Sequence, residues 1–336
     1  KSAALMLSTV FTLFVVVEVV LEITKINATS TNTQPVTLSN QILTLAPNST
    51  YQFSRGPFGE LRNEKTVNNY GFTSHRDFDR YAANETIALV GGSWVLADQV
   101  RMDQSIGSLI DQLLAADIYP VSQSDPNLAQ NLGFIEFSFN ELNVDRVIVL
   151  LVNDQLSGSF NMRGNGKRIF DSKGNLTIAA DHVPSLLYRW VTSFNVANYL
   201  FKNIQVQRIF SEPGPQMQEV APSVNEKLAK LASEYFINGL ERTGIKPEDM
   251  LFVFAPNLNA IESGSDEGIS SNFVKLKEFL DHEGYVTLNL HDAFRSDYEQ
   301  YGRHFLIPRD SHWNAYSQNL AAQLIANHPV FFKIER

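Results

Sequence analysis

No cysteine occurs in the 336 residues of this chain, which excludes disulfide bonds, thiol catalysis and metal sites with cysteine ligands. Basic residues are also in the minority: 27 Lys and Arg stand against 36 Asp and Glu, a formal net charge of -9. Because a nucleic-acid interface needs a basic face to neutralise phosphates, nucleic acid is excluded as the main partner. No phosphate-binding loop or dinucleotide motif is present, and no cofactor or metal ion is predicted.

Charged residues are nearly absent from residues 3–21, AALMLSTVFTLFVVVEVVL, where Glu18 is the only one. An apolar run of this length can cross a bilayer as a helix, so residues 1–25 are predicted to be a transmembrane anchor. The positive-inside rule, applied to Lys1, places the rest of the chain outside the cytoplasm, in the periplasm if the protein is bacterial. The alternative is a secretory signal peptide, although no small-x-small cleavage site follows the run.

Glu18 needs a partner, because an unpaired carboxylate among lipid chains is costly. It is predicted to lie at the level of the lipid headgroups or to face a protein neighbour. The second option would make the chain a subunit of a membrane protein complex, held through residues 1–25.

From residue 86 onward, apolar runs alternate with amphipathic helices. The predicted strands are 86–93, 146–152, 250–256 and 286–290, and the predicted helices are 104–116, 223–242, 270–283 and 314–327. Continuous apolar strands separated by helices indicate a mostly parallel sheet covered on both sides, a three-layer α/β/α sandwich. The predicted divisions are the anchor at 1–25, a juxtamembrane linker and N-terminal extension at 26–85, and the α/β domain at 86–336, with an insertion at about 156–220.

The insertion contains a long amphipathic segment from Pro184 to Ile209. Its apolar stripe consists of Leu186, Leu187, Trp190, Val191, Phe194 and Leu200. The stripe is predicted to be the buried face of a lid helix. The alternative is a surface that rests on the bilayer or on a partner chain.

Polar residues follow the predicted strands where the carboxyl ends of parallel strands collect functional groups. Ser93 follows a strand and two glycines, Gly91 and Gly92, which permit a tight turn. Asn153 and Asp154 end the strand 146–152. Taken singly, each of these is also a common turn or capping residue.

Asp310 and His312 lie in the loop before the last helix, and their i, i+2 spacing puts both side chains on one face of an extended segment. Asp310 is placed to hold the His312 imidazole in the tautomer that a general base needs. Together with Ser93 these residues are the parts of an activated nucleophile. Asp-x-His is also typical of helix capping beside a surface histidine, or of a metal-ligand pair.

Five segments in this order resemble the SGNH (GDSL-like) hydrolases, a superfamily of serine esterases and acyltransferases. They are VNNYGFTSHRDF (67–78), IALVGGSW (87–94), QNLGF (130–134), VIVLLVNDQ (147–155) and RDSHWNAYSQNLAAQLIA (309–326). The resemblance runs from about residue 51 to 328 and implies a flavodoxin-like sheet. It also implies Ser93 as nucleophile, His312 as base, Asp310 as its partner and Asn153 as an oxyanion donor. The Asp-x-His-Trp form is similar to that of membrane-anchored alginate O-acetyltransferases.

The chain departs from the family pattern at two positions of interest. Gly92 replaces the aspartate of Gly-Asp-Ser, and the second block carries Gly133 followed by Glu136 where a second glycine is usual. In the family this block supplies a backbone N–H group to the oxyanion, so the resemblance implies that role for Gly133 or Glu136. A glutamate side chain there would oppose the developing negative charge.

The sequence therefore predicts a membrane-anchored, extracytoplasmic serine O-acyl esterase or O-acetyltransferase that acts on an acylated substrate, by resemblance a glycan. The alternative is a catalytically degenerate protein of the same fold that serves as a structural subunit of a membrane complex. A metal-dependent hydrolase that uses His304 with His312 and Asp310 is a third, weaker hypothesis.

Overall fold

The computed structural model describes residues 2–37, 41–152, 155–160, 166–183, 185–206, 222–265, 268, 271–308 and 310–331. The strands are β1 (Thr50–Arg55), β2 (Leu61–Thr66), β3 (Glu85–Gly91), β4 (Ala116–Ser122), β5 (Arg146–Leu151), β6 (Arg168–Phe170), β7 (Leu176–Ile178), β8 (Met250–Phe254) and β9 (Val286–Asn289). The α-helices are α1 (Ser2–Thr24), α2 (Ser93–Leu96), α3 (Ile106–Leu113), α4 (Leu128–Phe137), α5 (Leu186–Val191), α6 (Asn195–Asn198), α7 (Pro222–Thr243), α8 (Leu258–Ser263), α9 (Ser271–His282), α10 (His291–Tyr301) and α11 (Ala315–Ala326). Short π-helices follow α4 at Ser138–Leu142 and α6 at Tyr199–Ile204.

Five parallel strands form the central sheet in the order β4-β3-β5-β8-β9. Counted along the chain within this sheet, the order is 2-1-3-4-5, the flavodoxin-like arrangement of doubly wound folds. The predicted fold class is therefore confirmed. In this arrangement the chain winds in opposite directions from β3 and β5, and the crevice at their carboxyl ends is the expected place for a site.

After their first one or two residues, β3 and β5 are apolar because helices cover both of their faces. On β5, Val147 and Val149 pack into one core cluster with α4, α7 and α9, whereas Ile148 and Leu150 pack into the other with α3, α8, α10 and α11. This alternation of two buried faces explains why the strand is apolar from Val147 to Leu151.

Strand β4 at the edge of the sheet was not predicted from the sequence, because its ADIYPVS pattern contains Pro120 and continues directly from a helical pattern. Pro120 stands opposite Leu89 of β3. A proline is tolerated here because an edge strand has one side without a partner for its N–H groups.

The N-terminal extension folds against the rest of the chain rather than running free as a linker. Strands β1 and β2 form an antiparallel hairpin from Thr50 to Thr66. Before it, the backbone N–H of Ala28 donates to Asn203 Oδ1 at 2.9 Å, and Val36 forms a bridge with His182 of the insertion. The extension and the insertion therefore support each other beside the sheet.

Helix α1 stands out from the domain, and nearly all of its side chains are exposed. By length and composition it is able to cross a membrane, a property that a signal sequence near an N-terminus shares.

Candidate active site

A cleft of about 680 Å³ opens at the carboxyl ends of β3 and β5, at the point where the strand order reverses. Ser93 and His312 both line it. So do residues of the N-terminal hairpin, Phe53 and Arg55, and Gln155 from the loop after β5. The structure thus places the predicted nucleophile and the predicted base in one cleft, although they are far apart in the sequence.

Ser93 is the first residue of α2, and close packing explains the two glycines before it. A Cβ atom at Gly91 would lie 2.5 Å from a methyl group of Val95, and one at Gly92 would lie 2.8 Å from Cδ of Pro126. Both glycines have ordinary negative or extended backbone angles, so space rather than left-handed geometry requires them. A side chain at position 92 would therefore collide with the Pro126 ring.

The loop before α11 holds Asp310 and His312 together. Its ends pair through the bridge between Leu306 and Trp313, and the backbone N–H of Ile307 donates to the carbonyl of His312 at 3.0 Å. Inside the loop, Asp310 Oδ1 accepts the backbone N–H of His312 at 2.9 Å and makes a short contact with His312 Nδ1. This leaves Nε2 as the ring nitrogen available for a proton transfer.

Arg55 of β1 forms an ion pair with the other oxygen of the same carboxylate, Oδ2 of Asp310. The Asp310 side chain is only 3% exposed. Burial alone would raise the pKa of Asp310, but the hydrogen bonds and charge of His312, together with the charge of Arg55, outweigh it and hold this pKa below its ordinary value. The carboxylate therefore stays ionised and available to orient the imidazole.

The carboxylate of Asp98 also lines the cleft. It accepts a hydrogen bond of 2.5 Å from the hydroxyl of Tyr51. Burial raises the pKa of Asp98, and the Tyr51 hydrogen bond and the nearby charges of Lys65 and His312 oppose this only in part. Asp98 therefore lies within electrostatic range of His312.

Lys65 of β2 ties the N-terminal hairpin to the loop after α2. Its ammonium group is buried and donates to the carbonyl oxygens of Ala97 at 2.6 Å and Val100 at 2.8 Å. Burial lowers the pKa of Lys65 to about 8, against the opposing charges of Asp98 and Asp103. These bonds attach the hairpin to the segment that directly follows α2.

The two residues of the second block that were predicted to serve the oxyanion lie in a helix beside the cleft. Gly133 and Glu136 lie inside α4 and do not line the cleft. Gly133 packs against Arg168, and the Glu136 carboxylate lies 3.9 Å from the Arg168 guanidinium. The oxyanion role of these two residues therefore stays a prediction, and the structure places both within α4 rather than in the lining of the cleft. Asn153 lies outside the described residues.

Gln155 lines the cleft close to Ser93, and sequence reasoning missed it as a functional residue. A Cβ atom built at Gly92 would lie 3.6 Å from Gln155 Nε2. The other end of the amide, Oε1, accepts a hydrogen bond of 2.9 Å from Asn131 of α4, which fixes the NH₂ group as the cleft-facing end. The second block thus reaches the site through Asn131. The only signal in the sequence was the position of Gln155 two residues after the predicted Asn153.

Ser93 and His312 are not joined by a hydrogen bond in the described part of the chain, although both line the cleft. Apo catalytic hydrogen bonds are often long and tighten when substrate binds. A stack between the neighbouring rings of Trp94 and Trp313, with centroids 4.6 Å apart and planes 22° from parallel, holds the two segments in fixed register.

The described residues contain no group of three or more metal-ligating side chains in suitable positions. His304 does not join His312 and Asp310. Its Nδ1 lies 3.4 Å from Glu262, and the side chain is exposed. At Asp310 and His312 the structure shows an imidazole held by a carboxylate.

No protein-family model and no curated protein matches the sequence. Several solved structures are similar. A lipase/acylhydrolase from Enterococcus faecalis shares 11% identity over 75% of this chain and 99% of its own, with a TM-score of 0.41. A candidate SGNH hydrolase from Slackia heliotrinireducens shares 11% over 72% and 97%, with a TM-score of 0.37. A two-domain esterase active on acetylated mannans shares 11% over 75% and 51%, with a TM-score of 0.40. The similarity is one of chain path, and neither a reaction nor a substrate follows from it.

Proposed function

We propose that the protein is a serine O-acyl esterase or O-acetyltransferase, anchored in a membrane by α1, with its α/β domain outside the cytoplasm. One observation carries the proposal: a histidine held by a buried, ionised carboxylate lines the same cleft as a serine at a strand end. This is the composition of an activated nucleophile, which ester chemistry requires and a structural site does not.

In the proposed reaction, Ser93 Oγ attacks the carbonyl carbon of a bound ester while His312 Nε2 takes the hydroxyl proton. The tetrahedral intermediate expels the alcohol, which receives that proton from His312, and leaves an acyl group on Ser93. Water (in an esterase) or an acceptor hydroxyl (in a transferase) then releases the acyl group by the same steps in reverse. Asp310 stabilises the imidazolium that forms in each half of the reaction.

The developing oxyanion needs donors in the same cleft. The first N–H groups of a helix have no intrahelical acceptor, so the start of α2 at Ser93 provides backbone donors. The Gln155 amide, oriented by Asn131, is a second donor of the right type. Asn153 keeps the oxyanion role that the family resemblance implies.

The finer substrate class follows from the resemblance and not from contacts. Two loops of the cleft wall carry polar groups suited to hydroxyl-rich substrates, Ser124 with Asp125 and Asn257 with Asn259. Together with the resemblance to alginate O-acetyltransferases, this supports an acylated glycan as the substrate.

A fluorophosphonate probe tests the nucleophile directly, because it reacts only with a serine that an adjacent base activates. The full chain in detergent is expected to take up one label, which peptide mass spectrometry locates at Ser93, and Ser93→Ala abolishes the labelling. Two other exposed serines of the cleft, Ser124 and Ser311, provide matched controls. Ser124→Ala and Ser311→Ala leave labelling unchanged if Ser93 is the nucleophile. A folded wild-type chain that takes up no label would contradict the proposal.

A second candidate is the catalytically degenerate subunit, favoured by the position of Gly133 and Glu136 outside the cleft. One argument for it, that Glu18 needs a partner in another chain, is weakened because Glu18 accepts hydrogen bonds within this chain. Purification in mild detergent separates the candidates: stoichiometric partner chains together with an unlabelled Ser93 support the subunit, whereas a labelled chain alone supports the enzyme.

A further inference from the structure

Six large apolar or aromatic side chains of residues 186–204 are exposed, with exposed fractions from 39% to 81%. They are Leu186, Leu187, Tyr188, Trp190, Leu200 and Phe201. Residues 186–204, which comprise α5, α6 and the following π-helix, are called the amphipathic segment below. The prediction that its stripe is the buried face of a lid is therefore wrong. A group of exposed apolar side chains this large marks an interaction surface.

The amphipathic segment is attached to the candidate membrane helix. The Glu18 carboxylate of α1 accepts the backbone N–H groups of Asn195 at 2.6 Å and Val196 at 2.9 Å. One turn earlier on α1, the Phe14 ring meets Phe194 edge to face, with centroids 5.7 Å apart. Glu18, the only charged residue within the apolar run 3–21 of α1, thus accepts two hydrogen bonds from the start of α6. The Phe14 ring covers the residue just before α6.

The position of these contacts along α1 sets their depth. The 23 residues of α1 are about 35 Å long at 1.5 Å per residue, slightly more than the hydrocarbon thickness of a bilayer. Glu18 lies six residues before Thr24, so it is about 9 Å from the end of the helix. A helix in the plane of a membrane buries its apolar face about 5–10 Å into the boundary between headgroups and acyl chains. The amphipathic segment is attached at that depth.

We propose that the amphipathic segment lies in the leaflet on the domain side of the membrane, with Leu186, Leu187 and Trp190 among the acyl chains. The inference rests on the membrane anchoring proposed above and is independent of the esterase activity. Lipid is the occupant because the bilayer that surrounds α1 also surrounds whatever is packed against Phe14 and Glu18. The composition agrees, since Tyr188 and Trp190 are typical of the membrane–water interface and the exposed Arg189 can reach headgroup phosphates.

The amphipathic segment also lies next to the catalytic cleft. A second hollow of about 300 Å³ is lined by Phe201 and Lys202 of the segment and by Phe53, Arg55 and Asp98, which belong to the cleft as well. A segment embedded in the leaflet therefore holds the cleft close to the membrane and fixes its orientation.

The absence of cysteine makes the test direct, because a single introduced cysteine carries a nitroxide label at one known position. The full chain is reconstituted in lipid nanodiscs as Leu187→Cys. Collision of the label with oxygen, which concentrates in lipid, is compared with collision with a water-soluble nickel complex. We expect the oxygen-to-nickel ratio at Leu187→Cys to exceed, several-fold, that at Tyr81→Cys, an exposed position on the domain far from α1 in sequence.

Two further variants keep the outcomes distinct. Val10→Cys reports whether α1 itself is in lipid, and Leu186→Cys repeats the test if Leu187→Cys folds poorly. Lipid-like ratios at positions 10 and 187 support the inference. A lipid-like ratio at position 10 with a water-like ratio at positions 186 and 187 overturns it while leaving the anchor intact, and the surface is then one for a protein partner. Water-like ratios at all positions overturn the anchor and this inference together, and labelling of Ser93 is unaffected.

Discussion

The two walls of the cleft are held in different ways. On the wall that carries Ser93 and His312, the predicted nucleophile and base, His312 is held by Asp310 and Asp310 by Arg55. On the wall formed by the loops after β4 and β5, Gln155 is the one described side-chain amide fixed by a hydrogen bond from a buried neighbour. In the first wall, charged side chains in direct contact fix the geometry. In the second, the positions of the polar groups depend on the path of the loop backbone.

This difference separates two demands of ester chemistry. Orienting a base needs a carboxylate at one distance from one ring nitrogen, which two residues of a single loop can provide. Stabilising an oxyanion needs several donors that converge on a point in space that no side chain occupies. The first demand is met here within residues 310–312, and the second draws on at least two separate elements. Damage to the two walls should therefore have different magnitudes and different signatures.

The largest effect is expected from Asp310→Asn. An amide holds the imidazole in the wrong tautomer, so kcat/KM for a chromogenic acetate ester should fall by about 10⁴-fold. Because the pKa of Asp310 is held below its ordinary value, the wild-type carboxylate also stays ionised in mildly acidic solution. Any loss of activity there must come from another group.

Asp125→Asn is the matched control for this substitution, since Asp125 lines the same cleft but pairs with Lys167. It should change kcat/KM by less than a few-fold. A decrease of less than tenfold in Asp310→Asn would show that the contact with His312 is structural and would remove the distinction between the walls.

A smaller effect is expected on the other wall from Gln155→Ala. Loss of one oxyanion donor typically costs about 10²–10³ in rate, and it should appear in kcat with little change in KM. Glu136→Gln, by contrast, should leave both constants unchanged, because Glu136 faces Arg168 outside the cleft. If Glu136→Gln raised the activity while Gln155→Ala did not lower it, the family pattern would describe the oxyanion site better than the geometry does.

The contrast between the walls also explains what could be read from the sequence. The i, i+2 spacing of Asp310 and His312 encodes their contact locally, and the apolar runs encode strands buried on both faces, so both were predicted. Arg55 could not be assigned, because it reaches Asp310 from a hairpin 255 positions earlier in the chain. Gln155 was missed for a similar reason, since its orientation depends on a hydrogen bond from the buried Asn131 of α4, 24 positions earlier in the chain.

For the second block, the family resemblance and the observed backbone point to different residues. The QNLGF block aligned with a known motif by its letters, but α4 begins at Leu128 and turns Gly133 into the helix interior. The block contributes through Asn131, a residue that the motif match did not single out.

Arg55→Gln should have a moderate effect on rate and a clear effect on pH dependence. Without the guanidinium, one of the charges that lower the pKa of Asp310 is lost, and its carboxylate is no longer shared. The full negative charge then favours the protonated imidazole, so the acidic limb of the kcat/KM profile should move to higher pH. Arg55→Lys, which retains the charge, should move it less. A lower melting temperature with an unmoved profile would assign Arg55 a purely structural role.

The smallest effect is expected on stability, from the lysine that supports the nucleophile wall. Burial sets the pKa of Lys65 to about 8 in the folded protein, below the value near 10.4 of an unfolded chain. Between these values the unfolded state binds more protons, so the free energy of unfolding should rise with pH, by on the order of 1 kcal/mol per pH unit at most.

Lys65→Met should flatten this rise, whereas Lys246→Met, at an exposed lysine, should not. Urea unfolding between pH 7 and roughly pH 9.5, below the range in which free tyrosine titrates, measures the slope. An equal slope in Lys65→Met and wild type would mean that the ammonium group is solvated, and that the hairpin does not hold Ala97 and Val100 through a buried charge.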